Sequence, residues 1–351
     1  MNAKTVREII KKALNGDLIT REEIVRLFSV PLLSEESFYL QHAAREMSGK
    51  ASGGFAEIHA QVGLNSGPCS KNCAFCSFAA SNGIFREQHE LEIDEIIKKC
   101  LDFEKDGANA IFLMSTAAFD FAKYIKTAKE VRKSLQPETV MVANTGDFDY
   151  HQAVALKEAG FAGVYHAVRL GEGRVTALSV QQRLKTFKAV RKAGLLLGTC
   201  VEPVGPEHSV EELVEMTLLT RNYQPVFSGA ARRIGIPSTD LTKKGMVSEA
   251  KMAHILAVVR LAMGYQCAGN CTHEPNVLGA ASGANLFWAE AGSNPRDNRN
   301  NTEAGRGFSV AKCKEMFREA EWQILEGPSV MFGSQLFGYE VWPRKGGDIE
   351  C

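Results

Sequence analysis

The chain has 351 residues, of which 45% are hydrophobic and 23% charged, an ordinary composition for a globular protein. Its 41 basic and 41 acidic residues balance, which argues against nucleic acid or an anionic membrane as the main partner. No run of about 18 apolar residues occurs, and the opening residues MNAKTVREIIKKALNGDL lack the apolar core of a signal peptide. We therefore expect a cytoplasmic protein whose nine cysteines stay reduced, which favours metal binding or catalysis over disulfides.

The predicted elements begin with three helical patterns, and residues 1–54 are assigned to an N-terminal helical extension. Thr20 and Glu23 have the spacing of a capping box for the second helix. From residue 55 onward, short apolar runs alternate with amphipathic segments. The predicted strands cover 56–64, 108–115, 139–144, 163–168, 195–202, 225–231, 265–271 and 284–290. The helical patterns between and after them cover about 92–105, 119–135, 150–159, 179–193, 209–222, 248–263, 275–282 and 309–325.

This alternation of strands and helices predicts an α/β protein with a parallel sheet covered by helices. Eight rounds of it predict a closed (βα)8 TIM-type barrel over residues 55–326, followed by a C-terminal tail at 327–351. The alternative is an open doubly wound sheet, but no predicted strand is followed by the GxGxxG turn common in such folds.

The segment CSKNCAFC places Cys69, Cys73 and Cys76 in the loop after the first predicted strand. In a barrel this is the catalytic end, where the loops that follow the strands gather. Three thiolates can bind three irons of a 4Fe-4S cluster and leave the fourth iron open, whereas ferredoxin clusters use four cysteines. The alternative is a zinc site, but a structural zinc is closed by four ligands, and no second cysteine pair lies nearby.

The longer segment GPCSKNCAFCSFA resembles the cluster motif of radical S-adenosylmethionine enzymes, with Phe75 as the aromatic residue before the third cysteine. The resemblance implies an oxygen-sensitive 4Fe-4S cluster and S-adenosylmethionine, which is cleaved to a 5′-deoxyadenosyl radical that removes hydrogen from a substrate. It also implies an electron donor such as ferredoxin or flavodoxin, and a small-molecule or acyl-carrier-bound substrate.

Over residues 20–325 the chain is similar to the biotin synthase-like group, which includes biotin synthase, a hydrogenase maturase, methylornithine synthase and one type of lipoyl synthase. The resemblance implies that residues at the strand ends contact S-adenosylmethionine. Each polar residue among them has an alternative role, which is to hold a loop by a hydrogen bond within the protein. The predicted cofactor-binding residues are Phe75, Ser115, Thr116, Tyr165, His166, Arg169 and Glu202. An adenine contact by Gly205 with Glu207 or His208 matches the group's pattern only approximately.

A second set of thiols, Cys200, Cys267 and Cys271, lies on predicted strands five and seven. Residues four apart in a strand share a face, so Cys267 and Cys271 are predicted to point the same way. Barrel interiors are normally filled by branched apolar side chains, so thiols there indicate a site. The resemblance suggests a second, auxiliary iron–sulfur cluster, as in biotin synthase. The alternative is reduced structural thiols beside a polar substrate pocket.

The remaining candidates are weaker. Cys100 and Cys313 lie in helical patterns and are predicted to be small core residues. Arg232 and Arg233, and Arg296 and Arg299 in the polar segment 293–307, are candidates to hold an anion or to form ordinary salt bridges.

Three functions remain open at this point. The first is a radical enzyme that inserts sulfur into unactivated C–H bonds by means of an auxiliary cluster. The second is a single-cluster mutase, lyase or cofactor-maturation enzyme. The third is a structural metal-binding module. Only the extra thiols separate the first two, and we favour sulfur insertion because unused thiols inside the barrel would be exposed to the radical.

Overall fold

A closed barrel of eight parallel strands forms the centre of the protein, in a computed structural model that describes residues 5–236, 239–296 and 308–333. Each strand pairs with the next along the chain, and the eighth pairs with the first through seven consecutive positions from Glu57↔Leu286 to Gly63↔Gly292. The strands are β1 Phe55–Gly63, β2 Ala110–Met114, β3 Val140–Asn144, β4 Phe161–Tyr165, β5 Leu196–Gly198, β6 Phe227–Arg232, β7 Gly269–Cys271 and β8 Leu286–Gly292. The predicted (βα)8 barrel is confirmed.

Helices cover the outside of this barrel and extend it at the N-terminus. The extension comprises α1 Val6–Leu14, α2 Arg21–Phe28 and α3 Glu35–Ala51. The barrel helices are α4 Ile93–Lys105, α5 Phe121–Ser134, α6 Tyr150–Glu158, α7 Val180–Ala193, α8 Val210–Asn222, α9 Glu249–Met263, α10 Val277–Ala281 and α11 Val310–Glu319. The capping box of Thr20 and Glu23 is present in α2.

The extension is joined to the barrel through a buried histidine of α9. His254 Nδ1 lies 3.0 Å from Ser37 Oγ on α3, and its Nε2 lies 3.0 Å from the carbonyl oxygen of Leu27 on α2. Both ring nitrogens therefore have partners in the extension, although the ring is fully buried. This contact ties the two parts into one packed unit.

An aromatic cluster fills the middle of the barrel. The Phe112, Phe227 and Trp288 rings surround His59, with ring centroids 5.3 to 6.1 Å from the imidazole. Gly198 makes room for this packing, because a Cβ atom there would lie 2.2 Å from the Phe227 ring. The barrel interior at this level is packed, so a ligand can enter only as far as the aromatic layer.

Residues 327–333, which we assigned to the C-terminal tail, close the base of the barrel. Glu57, near the start of β1, accepts hydrogen bonds from Ser329 Oγ at 2.5 Å and from the backbone amides of Val330 and Met331 at 3.0 and 3.2 Å. Phe332 then inserts into the aromatic cluster, 5.9 Å from His59. We call residues 327–333 the base plug. The strand ends at the opposite side remain available for a site.

Most element boundaries shift by a few residues, and three elements depart furthest from the prediction. The fifth predicted strand is interrupted at Thr199 and Cys200 and resumes as a short strand, Val201–Val204, that pairs with β6. The seventh begins at Gly269 rather than at residue 265. The last predicted helix ends at Glu319, because Gln323 and Ile324 pair with the start of β1.

Other predictions fall outside the described residues. They are Arg299, residues 297–307 of the polar segment, and the tail from residue 334 to Cys351. In the ranges that the structure covers, no helix has both the length and the apolar character needed to cross a membrane.

Candidate active site

The loop that carries Cys69, Cys73 and Cys76 follows β1 and is held by backbone hydrogen bonds. Cys69 N donates to Phe78 O at 2.7 Å, and Cys76 N donates to Cys73 O at 2.9 Å. Asn82 Nδ2 donates to the carbonyl oxygen of Cys76 at 2.8 Å. The three thiols are free, and all three line one cavity at the catalytic end of the barrel.

Two thiols of this loop are protonated at neutral pH in the free protein. Burial raises the pKa of Cys73 to about 11 and that of Cys76 to about 12. Both thiols must therefore lose a proton when iron binds.

The predicted cofactor-binding residues lie around the same cavity. They come from different parts of the chain, because the loops after parallel strands gather at one end of the barrel. The residues that line it with the three cysteines are Phe75, Ser115, Thr116, Tyr165, His166, Arg169 and Glu202. The structure thus brings the whole predicted set together, and the roles of its members stay predictions.

A buried ion pair crosses this cavity. Arg169 Nε lies 3.3 Å from Glu202 Oε1, and the backbone amide of Arg169 donates to Glu172 Oε2 at 3.1 Å. Burial raises the pKa of Glu202, but the charges of His273 and Arg169 outweigh it, so that pKa lies below its usual value. Glu202 is therefore ionised at neutral pH, and the pair presents a fixed positive and a fixed negative charge to a ligand.

His166 is already engaged by the protein. Its Nε2 lies 3.0 Å from Asp147 Oδ1 and 3.1 Å from Arg183 Nη1, and Arg183 Nη1 lies 3.3 Å from the same Asp147 oxygen. Burial and the charge of Arg183 lower the pKa of His166 to about 4. The ring is thus neutral at pH 7. Its Nε2 atom contacts Asp147, in the loop after β3, and Arg183, on α7.

The strand thiols do not all behave as predicted. The Cys200 and Cys271 Sγ atoms are 2.6 Å apart, and both thiols are free and buried. Cys267 lies before β7 rather than in it, so the argument from strand alternation was wrong, and its Sγ donates to Gly269 O at 3.3 Å. The compact donor group is instead Cys200, Cys271 and His273.

The sequence alone did not single out His273 as a donor, nor several polar residues of the cavity. Asn144 Nδ2 donates to Gln61 Oε1 at 2.8 Å, and both side chains line the cavity wall. A polar residue at the end of an apolar strand, as at Asn144, was the available signal.

Apart from Arg299, which lies outside the described residues, the candidate anion-binding arginines also line this cavity. Each has a carboxylate partner in the protein: Arg232 pairs with Glu274, Arg233 with Glu207 and Arg296 with Glu290. All three arginines therefore form salt bridges, as the alternative interpretation expected. Glu207, which was also a candidate for contact with adenine, is the partner of Arg233.

Comparison with known proteins agrees with this site. The Radical SAM superfamily matches residues 66–219, which include the whole cysteine loop. Over this stretch the chain is similar to radical S-adenosylmethionine enzymes. Its resemblance to the biotin synthase-like group is confirmed as well by the relatives and solved structures that it matches.

Curated proteins that the chain resembles are biotin synthases. The chain is 26% identical over 227 residues to biotin synthase of Clostridioides difficile (strain 630), covering 62% of this chain and 69% of that protein. It is 28% identical over 202 residues to the enzyme of Pelotomaculum thermopropionicum, covering 54% of this chain and 60% of that protein. It is 24% identical over 297 residues to the biotin synthase of Desulforudis audaxviator, covering 80% of this chain and 89% of that protein.

Two solved structures share the fold. HydG, a maturase of the [FeFe]-hydrogenase, superimposes with a TM-score of 0.76 at 17% identity, over 92% of this chain and 76% of HydG. Methylornithine synthase (PylB) superimposes with a TM-score of 0.75 at 15% identity, over 91% of this chain and 97% of PylB. At these identities the likeness concerns the barrel, while the superfamily implies a 4Fe-4S cluster and S-adenosylmethionine.

Proposed function

We propose that this radical S-adenosylmethionine enzyme acts as a sulfurtransferase that inserts sulfur into an unactivated C–H bond of a small-molecule or acyl-carrier-bound substrate. The observation that carries the proposal is the Cys200–Cys271 thiol pair, which lies next to His273. His273 and the cysteine loop line the same cavity. A sulfur-donating iron–sulfur centre at that pair would be reached from the same cavity as the radical.

The residues on the cavity fit the two cofactors that the superfamily implies. Cys69, Cys73 and Cys76 would hold the cluster and leave one iron open, and the cavity beside them offers charged and polar groups for S-adenosylmethionine. When bound, these cofactors supply a hydrogen-abstracting radical, with one electron per event from a donor such as ferredoxin or flavodoxin. Removal of hydrogen would break the C–H bond and convert the radical to 5′-deoxyadenosine. Sulfide of the second centre would then form the C–S bond, and the one electron released would pass to a ferric iron of that centre.

The protein's own side chains bind and orient in this proposal. Arg169 would bind the methionyl carboxylate, because a guanidinium can donate two parallel hydrogen bonds to a carboxylate. Glu202 would hold the Arg169 fork in place through the 3.3 Å contact. The packed aromatic layer of Phe112, Phe227 and Trp288 below the cavity would exclude water from the reacting carbon.

Iron counting tests the proposal directly. Protein carrying Cys69→Ala, Cys73→Ala and Cys76→Ala should still hold iron and sulfide after anaerobic reconstitution, at the level of one centre. Adding Cys200→Ala or Cys271→Ala should then remove it. A Cys100→Ala change, on the outer helix α4, is the matched control and should leave the iron content unchanged.

The second candidate is a single-cluster mutase, lyase or cofactor-maturation enzyme. It is favoured by Cys267, which lies outside β7 and donates its hydrogen to Gly269 O, so that only two of the three strand thiols meet. Wild-type protein that binds the iron of one cluster only, and that cleaves S-adenosylmethionine without forming any C–S product, would support this candidate over sulfur insertion.

A further inference from the structure

We infer that His273, and not Cys267, is the third protein ligand of an iron–sulfur centre that Cys200 and Cys271 hold. The inference rests on the proposed function, since it concerns the second centre. It changes the predicted ligand set from three thiolates to two thiolates and one imidazole.

The donor atoms converge across two strands. The ligand atoms of Cys200, Cys271 and His273 all lie within 4.8 Å of one another, and all three residues are buried. Cys200 comes from the break after β5, and Cys271 ends β7 two residues before His273. Soft thiolate and imidazole donors in a compact, buried group are the ligand types that iron–sulfur centres use.

Cys267 is occupied elsewhere. Its Sγ donates to Gly269 O at 3.3 Å, and its own carbonyl oxygen accepts from the buried guanidinium of Arg260 at 2.6 Å. To join the pair, this thiol would have to give up its hydrogen bond to Gly269 O. Removal of Cys267 should therefore leave the centre intact.

The protein holds the imidazole of His273 in one orientation. Its ring stacks on Trp288 with centroids 4.5 Å apart and an angle of 5° between the planes. His273 Nε2 lies 3.2 Å from Tyr165 OH and 3.6 Å from Glu202 Oε2. Oxygen groups beside a metal-binding imidazole are the usual means of setting its tautomer and ring orientation.

The ligand exchange has an electronic consequence. A neutral imidazole in place of a thiolate makes the centre less negative by one charge, which raises its reduction potential. A centre with three protein ligands also keeps one of about four positions for a non-protein ligand. Both properties can be measured without any enzymatic assay.

The experiment uses the Cys69→Ala, Cys73→Ala, Cys76→Ala background, so that only the second centre is observed. Each further variant is reconstituted anaerobically with ferrous iron and sulfide, and its iron content, electron paramagnetic resonance spectrum and midpoint potential are measured. We expect His273→Ala to lose iron as fully as Cys200→Ala does, and Cys267→Ala to keep it. We expect His273→Cys to retain iron and to shift the midpoint potential to a more negative value.

The outcomes separate the two proposals. Loss of iron in Cys267→Ala together with an unchanged spectrum in His273→Ala would overturn the ligand assignment and leave sulfur insertion standing. An absence of iron in the background variant, with a circular dichroism spectrum like that of the wild type, would overturn both. An unchanged midpoint potential in His273→Cys would show that residue 273 does not bind the centre.

Discussion

Arg169 and Glu202 form an ion pair on the wall of the cavity that the cysteine loop lines, with Nε and Oε1 3.3 Å apart. Burial lowers the pKa of Arg169, but the charges of Glu202 and Glu172 outweigh it, so that pKa is raised and the guanidinium stays charged. The pair holds a cation ready for an anionic group of a ligand, and a carboxylate is the group that the guanidinium fits best.

Replacing Arg169 by lysine should raise the KM for S-adenosylmethionine roughly tenfold or more, because a hydrogen bond to a charged group contributes about 1.5–3 kcal/mol. The ammonium keeps the charge but loses the two parallel donors. The measurement is 5′-deoxyadenosine formation against S-adenosylmethionine concentration. Arg191→Lys, on the exposed face of α7, is the control. Equal KM values for the two variants would remove Arg169 from the binding site.

A single Cys69→Ala, Cys73→Ala or Cys76→Ala change should abolish cleavage of S-adenosylmethionine, since each removes one of the three predicted ligands of the cluster. The measurement is 5′-deoxyadenosine produced under reducing, anaerobic conditions. Cys313→Ala, a buried cysteine of α11, should keep the activity. The cluster assignment fails if the triple alanine variant still forms 5′-deoxyadenosine.

Stability should fall as the pH drops from about 6.5 to about 4, in part because of His254. Burial lowers its pKa to about 4, below the ordinary value of about 6.5. The unfolded chain therefore binds a proton first, and stability that is present above pH 6.5 is lost as the pH falls toward 4. Urea unfolding at several pH values should show a flatter dependence for His254→Gln than for the wild type. The exposed His151→Gln on α6 should leave the slope unchanged, and an unchanged slope in both variants would refute the role of His254.

Replacing Phe332 by alanine should lower the free energy of unfolding by about 3–5 kcal/mol, the usual loss for a buried aromatic residue. Phe332 is 5% exposed and packs against the aromatic cluster from the base plug. Chemical denaturation measures the change, and Phe38→Ala, at a side chain that is 55% exposed, is the control. Equal effects of the two changes would mean that the base plug adds nothing to stability.

The cluster loop and the barrel were predictable because both are local. The Cys69, Cys73 and Cys76 spacing lies within one loop, and each strand and helix has its own periodicity. The cavity set of Ser115, Arg169 and Glu202 followed from the resemblance, which identified the strand ends that face the cofactor.

The second thiol site was only half predictable because it is a tertiary arrangement. Alternation assumes a continuous strand, but the chain near Cys267 does not join the sheet until Gly269. The closeness of Cys200 to His273 depends on how two strands are staggered, which no single segment determines. Gln323 and Ile324 were predicted to be helical but form a strand for the same reason. Their pairing with β1 outweighs the local preference for a helix.

In the part of the chain that the structure describes, the base plug closes the end of the barrel opposite the cysteine loop. With Glu57 and residues 329–332 closing one end, a molecule that reaches the depth of His273 has to pass the level of the cysteine loop. A ligand at that depth would then have to bind before S-adenosylmethionine and leave after it. On the proposed function, iron for Cys200 and Cys271 would have to arrive before S-adenosylmethionine occupies the cavity.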